Sequence, residues 1–150
     1  MNPGTLASWL RTEHAKIDDL VVQLQEKVAV VPRANQQRWI AEVRGSFEDF
    51  RGHVQRHHKL EEEGGYMTAV VEERPTLSRE VDRLAHEHSE LEQLMGDIRR
   101  QLSELTSGDP LLIRDTCRRI QNLLLYLEHH TREENLLVMS VFQVDLGTDD

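Results

Sequence analysis

The eight histidines of this 150-residue chain stand at positions 14, 53, 57, 58, 86, 88, 129 and 130, in four short windows that also carry carboxylates. A near copy of Arg56-His57-His58-Lys59-Leu60-Glu61-Glu62-Glu63 lies at Glu128-His129-His130-Thr131-Arg132-Glu133-Glu134-Asn135. An offset of 73 sets Phe47 on Ile120, Phe50 on Leu123, Val54 on Leu127, His57 on His130 and Glu61 on Glu134. The other two windows repeat at an offset of 74, Glu13-His14 through Leu20 matching Glu87-His88 through Leu94. Imidazole nitrogen and carboxylate oxygen are the donors that iron, manganese and zinc accept, so the chemistry in view is metal ligation. A spacing of four turns a helix by about 400°, so His57 with Glu61, and His130 with Glu134, each project from one face one turn apart.

The elements that would position these groups are helices. Leu6, Leu10, His14, Ile17, Val21, Leu24 and Val28 recur every three or four residues, with Thr5 or Ser8 as the expected cap and Val30-Val31-Pro32-Arg33 as the stop. Asn35 is the expected cap of a second helix whose stripe is Trp39, Val43, Phe47, Phe50, Val54, His57 and Glu61, ended by Gly64-Gly65. Residues 66–74 allow a further turn or two before Pro75. A third stripe, from about Thr76, holds Val81, Leu84, His88, Leu91, Met95, Ile98, Leu102 and Leu105. Asp109-Pro110 reads as a cap with proline in the first helical position, opening a fourth helix through Ile113, Cys117, Ile120, Leu123, Leu127, His130, Glu134, Leu137 and Val141. No strand pattern competes. Four helices with short connections predict an all-α, up-down antiparallel four-helix bundle in a single domain over residues 1–150, with 143–150 as a flexible acidic tail.

One histidine lies on each stripe: His14, His57, His88 and His130. Glu61 and Glu134 fall on the same stripes, and an ionised glutamate in hydrocarbon costs several kcal/mol unless it is paired or bound to metal. One metal site satisfies all six groups. Ligand counting favours two cations, since four imidazoles and two bridging carboxylates supply about eight of about twelve bonds. A bridging hydroxide adds two and leaves room for water or a small ligand. In the doublets, His57 is taken over His58, which is read as a flank position with Glu62. His130 lies within about 70° of the mean apolar direction and His129 about 170° from it, so His130 with Glu134 is preferred.

Composition narrows the partners. A formal net charge of −9 with no basic patch argues against nucleic acid and against an anionic membrane. No apolar run reaches spanning length, and no leader is seen at the N-terminus, so a cytoplasmic location is the expectation. With Cys117 alone there is neither a disulfide framework nor a thiolate metal site, and it is read as a core thiol.

The set His14, His57-x-x-x-Glu61, Glu87-His88-x-x-Leu91 and His130-x-x-x-Glu134 resembles the hemerythrin-like (HHE) cation-binding domains, from about Leu6 to Asp145-Leu146-Gly147. Glu62-Glu63-Gly64-Gly65-Tyr66-Met67 and Glu134-Asn135 look like bacterial members. The resemblance implies a four-helix bundle holding two irons with a bridging oxo or hydroxo group. Glu61 and Glu134 match the shared carboxylates, and His14, His57, His88 and His130 the terminal ligands; zinc or manganese would also suit the set. It implies a non-haem di-iron protein that binds dioxygen or a similar diatomic such as nitric oxide, a binding protein before an enzyme. The alternatives are a di-iron oxidase or peroxide-decomposing enzyme, and a metal-stabilised regulatory bundle acting through a partner. Oxygen-carrying members have a second histidine one turn after the third-helix ligand. Here that position is Glu92, a departure from the oxygen-carrying members.

The other polar positions have plainer readings. His53 is expected at the helix edge, with ligation or a hydrogen bond to a ligand left open. Asp18 and Glu92 are expected to hydrogen-bond a ligand or to face solvent. His58, His86 and His129 are expected at flank or surface, and Glu62, Glu63 and Glu133 on a solvated face. Trp9, Phe47, Phe50 and Met95 are read as packing. Gly45 and Gly52 leave room for a second copy of the chain, although a tolerated exposed glycine is the simpler account.

Overall fold

The structure, a computed structural model, describes residues 2–146. Helix α1 spans Pro3–Ala29, α2 Gln36–Glu62, α3 Tyr66–Glu73, α4 Ser78–Glu104 and α5 Pro110–Phe142, with a 3-10 turn at Pro75–Leu77. No strand occurs among the described residues. The caps explain the boundaries. Asn2, not Thr5 or Ser8, caps α1: its Oδ1 accepts the Thr5 N–H at 2.8 Å, and Pro3 takes the first helical position. Asp109 does the same for α5, accepting from Leu112 N–H at 3.1 Å ahead of Pro110. Asn35 contributes no side-chain cap to α2; it sits in the left-handed region at φ 56°, and only its carbonyl accepts, from Trp39 N–H. The start expected near Thr76 falls at Ser78, because the proline-led 3-10 turn comes first.

The break after α2 is a sharp elbow. Gly64 adopts φ +83°, and a Cβ on Gly65 would run into the Leu60 carbonyl and lie 2.7 Å from Glu61 Cα. Only glycine allows that approach. The elbow turns α3 back against α2, α4 and α5, so that Tyr66, Met67 and Val70 are buried.

The four long helices close a ring in which α1 packs on α2 and α5, and α4 packs on α2 and α5, the neighbour relations of an up-down antiparallel bundle. Arg44 of α2 ties the far end, donating from Nε to Leu102 O at 2.6 Å and from Nη2 to Leu105 O at 3.0 Å and Ser103 O at 3.3 Å. These carbonyls lie at and just past the end of α4, where the helical ladder runs out and only the Leu105 N–H, at 3.4 Å, also reaches Leu102 O. The core divides in two. A large cluster runs from Ile17, Phe47, Phe50 and Met95 to Cys117, Ile120 and Leu127, and a smaller one joins Leu6, Leu10, Tyr66, Leu84, Val138 and Leu146. Of the segment expected as a free tail, residues 143–146 lie against the bundle: Leu146 is buried and Arg11 donates to the Asp145 carbonyl at 2.8 Å. Residues 147–150 lie outside the described residues. Among the described residues, no helix is long and apolar enough to cross a membrane.

Candidate metal centre

Between the two apolar clusters lies a layer of buried polar side chains. It interrupts each long helix at matching height: His14 between Leu10 and Ile17, His57, His58 and Glu61 after Val54, His88 between Leu84 and Leu91, and His130 and Glu134 between Leu127 and Val138. Glu61 and His130 are 0 % exposed and Glu134 1 %. All six residues expected as ligands are therefore brought together inside the bundle. Their donor atoms fall into two groups, each gathered within 4.8 Å: His14, His57, Glu61 and Glu134, and His58, Glu61, His88 and His130.

Glu61 belongs to both groups and straddles them. Its Oε2 lies 3.2 Å from His57 Nε2 and 3.9 Å from His14 Nε2, while its Oε1 lies 3.3 Å from His88 Nε2. Glu134 reaches across from α5. Its Oε2 is 3.3 Å from both His88 Nε2 and His130 Nε2, and it accepts the Tyr66 O–H at 2.5 Å.

Outer carboxylates set the imidazoles. With Nε2 turned to the centre, His88 Nδ1–H donates to Glu62 Oε2 at 3.0 Å and His130 Nδ1–H to Glu87 Oε1 at 2.7 Å. Such partners fix the tautomer and the ring plane of a ligating histidine. Arg83 in turn holds Glu87 and Glu133, at 2.9 and 2.8 Å. The His57 ring stacks on Trp9, centroids 5.4 Å apart.

The donors fit a cation better than they fit one another. His14 Nε2, His57 Nε2, both Glu61 oxygens, His130 Nε2 and Glu134 Oε1 are all buried without a hydrogen-bond partner. The imidazoles that approach Glu61 are close to it, but not aligned as hydrogen bonds. At about 1–3 kcal/mol per unsatisfied buried group, six such atoms would cost about 6–18 kcal/mol. That rivals the whole stability of a domain, about 5–15 kcal/mol. Cations in the two groups would satisfy all six.

The electrostatics agree. Burial lowers the His88 imidazole, but the adjacent Glu134 and Glu61 carboxylates outweigh it and lift the group to about 10. His57 and His130 are raised against burial in the same way, by Glu61 and by Glu134. Burial raises Glu61, yet His57, His14 and His88 drive it well below the carboxylate range. Burial and the Glu61 charge raise Glu134, but His130 and His88 leave it lowered. Burial and the charges of Glu134 and Glu61 hold the Tyr66 phenol well above its ordinary value, so it stays a donor. Without a cation, imidazolium protons neutralise the carboxylates; a cation must displace them.

The structure corrects one expectation at this layer. His58 is not a flank residue: it is buried, and its ring stacks on His88 at 3.8 Å and 9°. The signal was present, since His58 lies four residues after Val54 and three before Glu61, both on the stripe. Glu62 is exposed as expected, but it also holds His88. Tyr66 had no periodic signal, because the Gly64-Gly65 elbow alone brings it in. Elsewhere, His129 and His86 are exposed beside Glu133 and Glu90. His53 sits outside both groups, 3.6 Å from Glu13. Glu92 turns outward, accepting from Gln55 and lying 3.8 Å from Arg51. Asp18 lines a groove between α1 and α5 whose wall includes His14.

The family profile described as Hemerythrin HHE cation binding domain matches residues 5–142, nearly the whole chain. No curated protein and no solved structure gives a significant match.

Proposed function

The chain belongs to the hemerythrin HHE cation-binding domain family, and we propose that it is a non-haem di-iron protein that binds dioxygen or a similar diatomic such as nitric oxide. The observation that carries this reading is the pair of buried donor groups sharing Glu61, with six donor atoms left unpaired toward their centre. In this reading His14, His57, His88 and His130 would be terminal ligands, and Glu61 and Glu134 would be shared by the two cations. A pair of irons bound there supplies electrons and an open coordination position; manganese or zinc would fit the same donors but not the same redox chemistry.

The chain's own groups do the rest. Glu62 and Glu87 hold the Nδ1 protons of His88 and His130, so that both Nε2 lone pairs face inward. The apolar clusters on either side shield the layer along the bundle axis. Tyr66 keeps a proton beside Glu134, within reach of an anionic guest.

Metal analysis of freshly purified protein, followed by optical spectra of the anaerobically reduced form on exposure to dioxygen and to nitric oxide, tests the reading. About two irons per chain and a new absorption band are expected. No bound metal, or no spectral change with either gas, overturns it. A second reading, oxidation or peroxide disposal at the same centre, is favoured by the Tyr66 hydroxyl, a proton source that simple carriage does not need. Steady-state turnover of hydrogen peroxide that is lost in Glu61→Ala and slowed in Tyr66→Phe would establish it. A metal-stabilised bundle read out by a partner is the third reading, supported by binding of that partner to the metal-loaded form alone.

A further inference from the structure

We infer that His58 is a seventh metal-holding residue, a ligand of the cation on the α4 side of the centre that supplies from α2 an imidazole α4 itself lacks. The inference rests on the metal-centre reading above and deepens it.

Three observations lead there. First, the His57-His58 doublet straddles the inward face of α2. His57 leans toward α1, against Trp9 and His14, whereas His58 leans toward α4 and α5, stacked on His88 and edge-on to His130 at 5.5 Å. Each imidazole is thereby delivered to a different donor group. Second, His58 is 6 % exposed, and the rings packed against it are the imidazoles of His57, His88 and His130. Its donor atom lies within 4.8 Å of donor atoms of Glu61, His88 and His130, a set able to hold one cation. Third, Glu92, one turn beyond His88, is drawn out of the centre by Gln55 and Arg51. Gln55, His58, His88 and Glu92 line one recess of about 420 Å³ between α2 and α4. The position from which α4 would offer a second donor is therefore vacated on the flank where His58 enters.

Counted this way, the two cation positions are unequal. The α4-side position has three imidazoles, from His58, His88 and His130, and the α1-side position has two, from His14 and His57, with Glu61 and Glu134 between them. Loss of His58 should weaken one cation and spare the other.

The experiment is anaerobic equilibrium dialysis of the full chain against ferrous iron, with elemental analysis, on wild type, His58→Phe, His58→Ala and the exposed control His129→Ala. Wild type and His129→Ala should bind two ions. His58→Phe, which keeps the ring stacking, should hold one ion at wild-type affinity and the other at least tenfold more weakly. His58→Ala should recover the weak ion when millimolar imidazole is added, which a purely packing role for His58 would not give. Two ions at wild-type affinity in His58→Phe overturn the assignment while leaving the reading of the centre intact. Should His58→Phe fail to fold, His58→Ala decides alone: recovery with imidazole supports the assignment, and no response overturns it. Wild type that binds no iron fails the underlying reading instead.

Discussion

Substituting glutamine for Glu61 removes the one carboxylate common to both donor groups while keeping its volume. Glu61 is fully buried, with Oε2 facing His57 and His14 and Oε1 facing His88. An amide oxygen can serve one of those directions; the amide NH2 opposes a cation in the other. If each of two cations is present at about 100 times its dissociation constant, each adds about 2.7 kcal/mol to wild-type stability, about 5 kcal/mol together. For a domain of this size about 1 kcal/mol moves the midpoint by about 2–4 °C, so metal should raise the wild-type Tm by about 10–20 °C. Glu61→Gln should lose one cation outright and hold the other less tightly, forfeiting at least half of that rise. The assay is thermal unfolding by circular dichroism, in chelator and then in excess ferrous iron or manganese, with exposed Glu63→Gln as control. A metal-dependent rise in Glu61→Gln equal to that of wild type, with two ions still bound, would refute the bridging role.

Other perturbations separate the frame from the centre. Gly65→Ala should cost about 1–3 kcal/mol in urea unfolding, because its Cβ would strike the α2 backbone at Leu60 and Glu61. A neutral result would mean the elbow is not tight. Arg44→Met should cost about 1–2 kcal/mol equally with and without metal, since three carbonyls at and just past the end of α4 lose a charged donor far from the centre; a change in metal stoichiometry would contradict this separation. Burial holds the Asp18 carboxyl above its ordinary value of 3.8, against the attraction of His14. A raised folded-state value means stability is full below pH 3.8 and is lost as pH rises through the raised value. Asp18→Asn should therefore gain in Tm relative to wild type from acid toward neutral pH, and a loss at neutral pH would count against it.

What could be read from the residues was the part governed by periodicity. His57 with Glu61 and His130 with Glu134 follow directly from one-turn spacing on an apolar stripe, as does the choice of His130 over the exposed His129. His58 was lost by allotting one inward residue to each doublet; between α1 and α4 the inward arc of α2 is wide enough for two. Asn2-Pro3 carries the same cap-then-proline signature as Asp109-Pro110, so the true start of α1 was legible and only its neighbours Thr5 and Ser8 obscured it. Tyr66 and Glu62 belong to another category. Their roles depend on how a left-handed glycine redirects the chain and on which outer carboxylate reaches an Nδ1, and neither is a property of spacing.

The division of the core has a consequence for how the molecule breathes. The larger apolar half is contributed by the C-terminal halves of α1 and α4 and the N-terminal halves of α2 and α5, and should hold its amide hydrogens longest. The smaller half is gathered from the starts of α1 and α4, from α3, from the end of α5 and from Leu146 beyond it. Stripped of cations, that end should exchange its amides for deuterium ahead of the rest. The metal layer would then act as the rivet joining two otherwise separable units of protection.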